Sequence, residues 1–556
     1  MRFSDITAQR PTREGLAADY AELFAMLDHA AVPKAIQQWE RLRREIDTWF
    51  SLTQLHFSQD TTNAVYQAER EYADQLGPVV ADFETKMKRR LLDAHAPESD
   101  HALPPHLKGL WRVDITTFDP TIAADLEAEA GLESRYTQLL ASARIPFQGR
   151  EFNLAGLQPF LQNPDRHTRH DAASVMWKFF QTHADELDDL YDRLVKLRSK
   201  MAQVLGDAVF TSLGYRRMRR TDYGPAEVET YRKAVLQHVT PLVARLMEQR
   251  KRENQLDELY AWDEPMIDPA GNPVPAGDQH YLTEAAQGMF DRIHPLLADL
   301  YRLMQAGGFM DLDNRPGKAG GGFCTSFPKV GMPFIFANFN GTHHDIDVFT
   351  HEMGHAFQNY QSRFQPISDY FWPTMDAAEI HSMSLEFLAY PEISRLMGDH
   401  ADRYRKMHLK AALEFLPYGV CVDHFQHEVY DHPDMSPADR NRTWHRLENL
   451  YMPWRKWGDL DYPASGARWQ AQSHIYRSPF YYIDYTLAQC VALQFWRLSQ
   501  LDYASAVQQY VDLCSQGGSA PFLRLLSSAG LKSPFNAGAL EGVVHAAAEY
   551  LNVSGC

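Results

Sequence analysis

The pentapeptide His351-Glu352-Met353-Gly354-His355 restricts the possible folds of this chain more than any other sequence feature. An α-helix turns about every 3.6 residues, so side chains four positions apart project from one face. His351 and His355 can therefore occupy two corners of a tetrahedral zinc site, with Glu352 beside the open corner as a base for bound water. For the pentapeptide alone, the alternative is a helix that carries two solvated histidines.

The sequence on either side of this motif predicts a buried helix. Thr342 to Asp345 has the form of a capping box, and Asp345 and Asp347 place negative charge at a helix start. Apolar residues then follow at helical spacing: Val348, Met353, Phe357 and Tyr360. Buried histidines and carboxylates lose hydration and need partners in exchange, and a metal ion would be one.

A second helix at 374–388 contains further candidate ligands. Glu379 follows His355 by 24 residues and is the predicted third ligand. Glu386 lies two turns further along the same face, where it would either orient a ligand histidine or remain a surface carboxylate. His381 points to another side of this helix, and we interpret it as a bystander.

Composition and charge indicate a large enzyme without nucleic-acid or membrane partners. The chain has 556 residues, of which 45% are hydrophobic, and its net charge is −17 with no basic tract. Its five cysteines are scattered, without a CxxC pair, so we expect neither disulfides nor a cysteine zinc site. The N-terminus lacks the apolar run of a signal peptide, and no segment approaches about 18 uninterrupted apolar residues. We therefore expect a cytoplasmic protein.

The pattern of apolar residues is helical over most of the chain, notably from about 12 to 95 and from 169 to 205. We expect a mainly α, two-lobed protein, with an N-terminal helical lobe at 1–200 and a continuous catalytic lobe at 201–556. A loop at 101–109 interrupts the helices, and the turn-rich segment at 263–277 could form a small hairpin.

Two short strands are predicted just before the zinc motif, in 317–327 and 333–340. The glycines at 320–322 would permit unusual dihedral angles or the close approach of another backbone. An extended peptide could add to this small sheet by pairing with 333–340. The alternative is a structural hairpin that only covers the helix.

A histidine and several tyrosines lie together far downstream, at His474, Tyr481, Tyr482 and Tyr485. Peptide hydrolysis at zinc builds negative charge on the carbonyl oxygen, and O–H or N–H donors aimed at that oxygen lower the barrier. Tyr482 and Tyr485 would share one helical face. The alternative is that these rings only pack at an interface between lobes.

The segments HEMGHAF and EIHSMSLEFL, together with this distal histidine and its tyrosines, resemble the thimet oligopeptidase and oligoendopeptidase F family of zinc peptidases. The opening FSD…RP and the segment WDEP…GNP resemble its bacterial oligoendopeptidase F and Pz-peptidase branch. The resemblance implies a helical ellipsoid divided by a deep channel, with one zinc ion per chain at the bottom. It also implies internal cleavage of short unstructured peptides and exclusion of folded proteins.

The resemblance assigns roles to individual residues of this sequence. The implied zinc ligands are His351, His355 and Glu379; the general base is Glu352; the donors to substrate are His474 and Tyr482 or Tyr485. The segment Arg477–Phe480 departs from the pattern of thimet-type members, because it is a residue shorter and lacks glycine. Tyr481 therefore remains a third candidate donor.

Three alternatives to this prediction differ in function. A dipeptidyl carboxypeptidase of the angiotensin-converting-enzyme type shares HEMGH, although its third-ligand segment does not resemble EIHSMSLEFL. A catalytically inactive peptide-binding homologue would keep the fold, but Glu352 and the ligand set are intact here. A purely structural zinc is disfavoured because three protein ligands leave one position open.

Overall fold

The computed structural model describes residues 1–29, 31–93 and 103–553. Most of these residues are helical, as the sequence predicts. The α-helices in chain order are α1 (Arg13–Asp28), α2 (Val32–Gln59), α3 (Ala64–Asp93), α4 (Pro105–Asp114), α5 (Ala123–Ala141), α6 (Gln158–Leu161), α7 (Arg166–Thr182), α8 (Ala184–Val204), α9 (Phe210–Arg217), α10 (Pro225–Ala234), α11 (Thr240–Glu253), α12 (Gln279–Ile293), α13 (Pro295–Gly307), α14 (His344–Ser362), α15 (Met375–Leu388), α16 (Ser394–Met397), α17 (Ala401–Asp431), α18 (Pro437–Tyr451), α19 (Asp461–Ala464), α20 (Ser473–Arg477), α21 (Tyr482–Leu501), α22 (Tyr503–Gln516), α23 (Phe522–Ser528) and α24 (Ala537–Tyr550).

Shorter helical turns and two small sheets connect these helices. The 3₁₀ turns are Phe3–Asp5, Pro120–Ile122, Ala155–Leu157, Ser368–Tyr370, Tyr390–Glu392, Gly398–His400 and Ala467–Ala471, and a π-helical turn spans Val235–Val239. The strands are β1 (Ile145–Phe147), β2 (Arg150–Phe152), β3 (Met310–Asp313), β4 (Phe323–Phe327) and β5 (Met332–Phe339).

The two strands predicted before the zinc motif are β4 and β5, which pair antiparallel. β3, which the sequence pattern did not predict, pairs parallel with the other side of β5, so the strand order is β3-β5-β4. The expected pairing of a peptide with 333–340 is therefore wrong, because both edges of β5 are already occupied. Among the described residues, the strands of this sheet that keep an unpaired edge are β3 and β4.

The apolar side chains form two clusters. The larger one extends from Ile6 to Leu551 and includes the interior of α14, α15 and α21. The smaller one is built from α1 to α4 and receives Ile367 and Tyr370 from the segment between α14 and α15. The N-terminal helices are thus packed against the region that carries the zinc motif.

Two predicted loops differ from the structure. Segment 263–277 contains no strand, only turns, in which the Asn272 side chain accepts hydrogen bonds from the backbone N–H groups of Ile267 and Asp268. The loop expected at 101–109 ends early because α4 begins at Pro105, where proline suits the first helical turn. Residues 101 and 102 of that loop lie outside the described residues.

The sequence predicts neither disulfides nor a cysteine zinc site, and four of the five cysteines lie in the described ranges. Cys324, Cys421, Cys490 and Cys514 are free thiols, and Cys556 lies outside the described residues. Among the helices in the same ranges, none combines the length and apolar character that crossing a membrane requires.

Candidate metal centre and active site

The zinc motif lies on α14. The first turn of this helix does not form the predicted capping box. The Thr342 hydroxyl donates to the Asn340 side chain rather than capping the helix. The Asp345 carboxylate instead accepts hydrogen bonds from the backbone N–H groups of Asn340 and Gly341, at 2.8 and 2.7 Å. Asp345 therefore fixes the turn between β5 and α14 and so sets where the motif begins.

His351, His355 and Glu379, which we call the ligand cluster, are brought together by α14 and α15. The Nε2 atoms of His351 and His355 lie 3.1 and 3.2 Å from the Glu379 Oε2 atom. The three potential ligand atoms all lie within 4.8 Å of one another. Helical spacing thus places both imidazoles on one face, as expected, and the next helix supplies the carboxylate.

Close contact between α14 and α15 depends on Gly354. A Cβ atom at position 354 would lie 2.5 Å from the His381 carbonyl oxygen and 2.6 Å from Ser382 Cα. Both are backbone atoms, so a side chain would force the helices apart. Gly354 is the reason that Glu379 can approach the two histidines.

Gly354→Ala is therefore expected to destabilise the protein by about 1–3 kcal/mol, as overpacking of a core does. The matched control is Gly131→Ala in α5, where a Cβ atom would meet nothing within 4 Å. That change should stabilise the helix by about 0.5–1 kcal/mol. Chemical denaturation of both variants measures the difference, and equal effects would show that the helix contact at Gly354 is not tight.

Each member of the ligand cluster is held by a further side chain, apart from His355. Glu386 Oε1 lies 2.8 Å from His351 Nδ1, and its other oxygen lies 2.7 Å from His408 Nε2. The Ser382 hydroxyl donates to Glu379 Oε2 at 2.8 Å. These contacts fix the His351 ring with Nε2 directed at the cluster, the arrangement in which a carboxylate supports a metal-binding histidine.

The carboxylate of Glu379 is buried yet remains ionised. Burial by itself raises its pKa, but His355 and His351 hold the pKa of Glu379 well below its ordinary value. A second carboxylate, Glu352, lies alongside, and burial raises the pKa of Glu352 above its ordinary value. The surroundings therefore stabilise the ionised form of Glu379 more strongly than that of Glu352.

Glu352 has one oxygen without a protein partner. Its Oε2 atom is buried and has no hydrogen bond within the described residues. A Cβ atom at Gly322 would lie 3.3 Å from Glu352 Oε1 and 2.8 Å from Val348. The glycine at 322 therefore permits the close approach that the glycine run suggested, while Gly321 adopts a left-handed φ of 86°.

This donor set fits a zinc ion. Two imidazole nitrogens and one carboxylate oxygen converge, and three protein ligands leave a fourth position for water or substrate. The buried Glu352 Oε2 atom has no hydrogen-bond partner within the described ranges, so it needs a further polar group to satisfy it. The structure thus provides the ligands and the open side that such an ion requires.

His474, at the start of α20, has a defined protonation. The Gln472 side chain accepts from the Tyr418 hydroxyl and places its amide nitrogen 2.8 Å from His474 Nδ1. His474 Nδ1 is then the acceptor and Nε2 carries the proton. Burial lowers the pKa of His474 to about 4, so the ring is neutral at pH 7 and Nε2 is a donor.

The three distal tyrosines are placed differently from one another. The Tyr481 hydroxyl donates to Glu379 Oε1, and the Tyr485 hydroxyl lies 3.2 Å from His474 Nε2. The Tyr485 ring also faces His351, with ring centroids 6.5 Å apart. The Tyr482 ring packs at 5.8 Å against those of Phe415 and Tyr418, and among the described residues its hydroxyl has no hydrogen bond. Tyr481 and Tyr485 therefore face the cluster, and Tyr482 lies to one side.

The register of these tyrosines follows from the start of α21. This helix begins at Tyr482, and Phe480, two residues earlier, has a left-handed φ of 65°. The Phe480 carbonyl accepts from Arg220 at 2.5 Å, and its N–H donates to Gln426 at 2.9 Å. This turn brings Tyr481 to Glu379.

Several residues of the site were not identified from the sequence. Ser382 is one of them, and the available signal was a hydroxyl three residues after the candidate ligand Glu379. His408 and Gln472 come from segments with no motif, so only the fold brings them to Glu386 and His474. His381 lies away from the cluster, against Cys514, as expected of a bystander.

Three cavities lie around the region that carries the ligand cluster, although none of them is lined by His351, His355 or Glu379. The first cavity, of about 430 Å³, is bounded by Gly320, Gly321, the start of α14 and Arg477. The second, of about 360 Å³, adjoins the first through the shared residues Leu154, Gln158 and Ala471. The third, also about 360 Å³, lies at the other end of β4, beside Cys324 and Trp372. Gly320 and Gly321, just before β4, line the first cavity and Cys324 to Ser326 line the third, so β4 lies between the two.

Two protein-family models match this chain. Residues 299–544 match the model described as Peptidase family M3, and residues 3–118 match the model described as Peptidase M3 N-terminal domain. The first of these ranges contains the ligand cluster and all the distal tyrosines. No curated protein sequence matches the chain.

Solved structures match the chain over nearly its full length. A protein assigned as an oligoendopeptidase F is 43% identical with a TM-score of 0.98, and the match covers 100% of this chain and 99% of the other. Pz peptidase A, solved with an inhibitor, is 40% identical with a TM-score of 0.98, and 99% of each chain is covered. A protein assigned as an oligoendopeptidase F from Bacillus anthracis str. Ames is 38% identical with a TM-score of 0.93, covering 99% of this chain and 98% of the other.

Proposed function

Because this chain belongs to peptidase family M3, in the oligoendopeptidase F branch, we propose that it is a zinc-dependent enzyme that hydrolyses internal bonds of short unstructured peptides. Membership of the family makes the chain a metalloendopeptidase. The proposal adds the metal, the residues that bind it and the kind of substrate.

One observation supports the proposal above all others. The buried Glu352 Oε2 atom has no hydrogen-bond partner among the described residues, and Glu352 directly follows His351, whose Nε2 atom converges with that of His355 on the Glu379 carboxylate. A structural metal site would be closed by a fourth protein ligand, and no fourth ligand lies within the described part of the cluster.

The ligand cluster would bind zinc through His351 Nε2, His355 Nε2 and the Glu379 carboxylate. When bound, zinc would supply a Lewis acid that makes water a nucleophile near neutral pH and polarises the scissile carbonyl. Glu352 Oε2 accepts the proton of the attacking water and then passes it to the leaving amine. Glu386 keeps the His351 ring in position during this reaction.

Donors opposite the cluster would stabilise the negative charge that develops on the carbonyl oxygen. His474 offers its Nε2–H and Tyr485 its hydroxyl, and the two atoms lie 3.2 Å apart. His474 is suited to this role because it stays neutral while Gln472 holds its proton on Nε2. A donor that is already oriented costs no reorganisation when the charge forms.

His474→Gln and Tyr485→Phe should each lower kcat by about 10²–10³ and leave KM and zinc content nearly unchanged. The donors act on charge that exists only in the transition state, so substrate binding should not suffer. Tyr482→Phe is the matched control, because its hydroxyl lies apart from the cluster, and it should remain near wild type. Steady-state kinetics with one fluorogenic peptide would compare them. A damaging Tyr482→Phe with a mild Tyr485→Phe would show that the donors are assigned wrongly.

Substrate size provides a test of the whole proposal. Unstructured peptides of roughly five to twenty residues should be cut at internal bonds, because an extended chain fits a cleft that a folded domain cannot enter. Mass spectrometry of a mixed peptide library should show internal cuts, whereas serial release of C-terminal dipeptides would favour the dipeptidyl carboxypeptidase alternative. Rapid digestion of casein or of a folded protein would contradict the size limit.

A further inference from the structure

Arg477 is a cation of the cleft that the mechanism does not use. It is the last residue of α20, one helical turn after His474, and its exposed side chain forms part of the wall of the first cavity. It forms no hydrogen bond or ion pair with any residue in the described ranges. Arg198 and Arg220, by contrast, bind Glu129 and Asp484, respectively.

The charged groups around Arg477 do not neutralise it. Glu133 is the carboxylate with the largest electrostatic effect on Arg477, but it already accepts a hydrogen bond from Arg198 at 3.0 Å. Arg70 also faces this region and is paired with Asp74 at 2.8 Å. Arg477 therefore has no carboxylate partner among the described residues, and its guanidinium remains charged at neutral pH.

The other charged residues in the wall of the first cavity are already engaged. Lys318 lies 2.9 Å from Asp311 Oδ1 and donates to backbone carbonyls. Asp345 accepts from two backbone N–H groups of the turn before α14. Arg477 is thus left to give this cavity a positive charge, in a chain whose net charge is −17.

The unpaired edge of β4 indicates which part of a substrate would reach Arg477. Antiparallel pairs are the commoner and more stable arrangement, so we consider a peptide that adds to β4 in that direction. Its N-terminal half would lie by Phe327 and the third cavity. Its C-terminal half would run past Gly321 into the first cavity, where Arg477 lies.

We propose that Arg477 binds a substrate carboxylate on the C-terminal side of the scissile bond, and so determines which peptides are cleaved efficiently. The inference rests on the proposed peptidase function. A guanidinium presents donors that match a carboxylate in a two-point contact, and the partial exclusion of water in a cleft strengthens that contact. The carboxylate could be the C-terminal α-carboxylate of a short peptide or the side chain of a glutamate or aspartate.

The test uses paired fluorogenic peptides whose members differ only in one carboxylate. The first pair has a free-acid or an amidated C-terminus, with neutral side chains throughout. The second set is amidated and has Glu or Gln at each position after the scissile bond. The kcat/KM ratio within each pair is measured for the wild type, for Arg477→Gln and for Arg477→Lys.

For at least one pair, the wild type should prefer the carboxylate by about 10- to 100-fold, as expected of a charge-assisted contact. Arg477→Gln should bring that ratio close to one, and Arg477→Lys should retain part of it. The pair that responds identifies the source of the carboxylate. Because each ratio is internal to one preparation, the fraction of folded enzyme does not affect it.

The matched control is Arg468→Gln, which removes a cation from the second cavity instead of the first. Arg468 lies over the Tyr418 ring at 4.8 Å, and its loss should leave the wild-type preference intact. The inference would be overturned if the wild type cleaved both members of every pair equally, or if Arg468→Gln removed the preference and Arg477→Gln did not. Failure of the wild type to cleave any of the peptides would instead contradict the peptidase function itself.

Discussion

Replacing Glu352 with Gln is expected to lower kcat by about 10²–10⁴ while zinc remains bound, because the general base is lost and the ligands are untouched. Glu352 Oε2 has no hydrogen-bond partner among the described residues, so the amide of Gln breaks no existing contact at that atom. Gln also has nearly the same volume, and Gly322 still leaves room for it. Steady-state kinetics and elemental analysis of the same sample would measure the two properties together.

Glu352→Asp is the control that changes the position of the carboxylate and keeps its charge. It keeps a carboxylate but withdraws it by one methylene, so its activity should lie between that of Glu352→Gln and that of the wild type. If Glu352→Gln lost its zinc, Glu352 would belong to the metal site and would not be a separate base. Wild-type activity in Glu352→Gln would remove it from the reaction altogether.

Replacing Glu379 with Ala should have the opposite pattern, with loss of the metal and therefore of activity. Loss of a residue that only supports a ligand costs about 10–100-fold in metal affinity, and loss of a ligand should cost more. The Glu379 carboxylate also contacts both His351 Nε2 and His355 Nε2. Without it, the two imidazoles lose the anion that they share. Competition with a chromogenic zinc chelator would measure the change in affinity.

Glu386→Gln is the matched comparison, since Glu386 lies on the same helix and contacts His351 at Nδ1, on the side of the ring away from the cluster. Its affinity for zinc should fall by about 10–100-fold, less than in Glu379→Ala. Equal losses in the two variants would mean that Glu379 supports the site without binding the ion. Retention of full affinity in Glu379→Ala would exclude it as a ligand.

The local parts of this structure could be predicted from the sequence because helical periodicity determines them. The spacing of His351 and His355 requires one shared face, and the apolar residues of α14 predict its burial. The position of Glu379 on α15 followed from the same rule. The resemblance to a known family was confirmed by the family models and by the structural matches.

Features that depend on contacts distant in sequence could not be predicted in the same way. The capping box expected at Thr342 is absent because Asp345 binds the preceding turn instead. The start of α21 depends on Phe480, whose left-handed φ carries a cost of about 1–2 kcal/mol that Arg220, Gln426 and the packing of its ring offset. A residue other than glycine in that conformation leaves no signal in the sequence, so the contact between Tyr481 and Glu379 could not be predicted.

Anomalous diffraction at the zinc absorption edge would test the central claim most directly, because it locates the ion independently of activity. Crystals of the purified protein should show one strong peak per chain, bounded by His351 Nε2, His355 Nε2 and the Glu379 carboxylate, at about 2.0–2.2 Å from each. A peak at any other group of residues, or a zinc-loaded crystal without a peak at these three, would contradict the account.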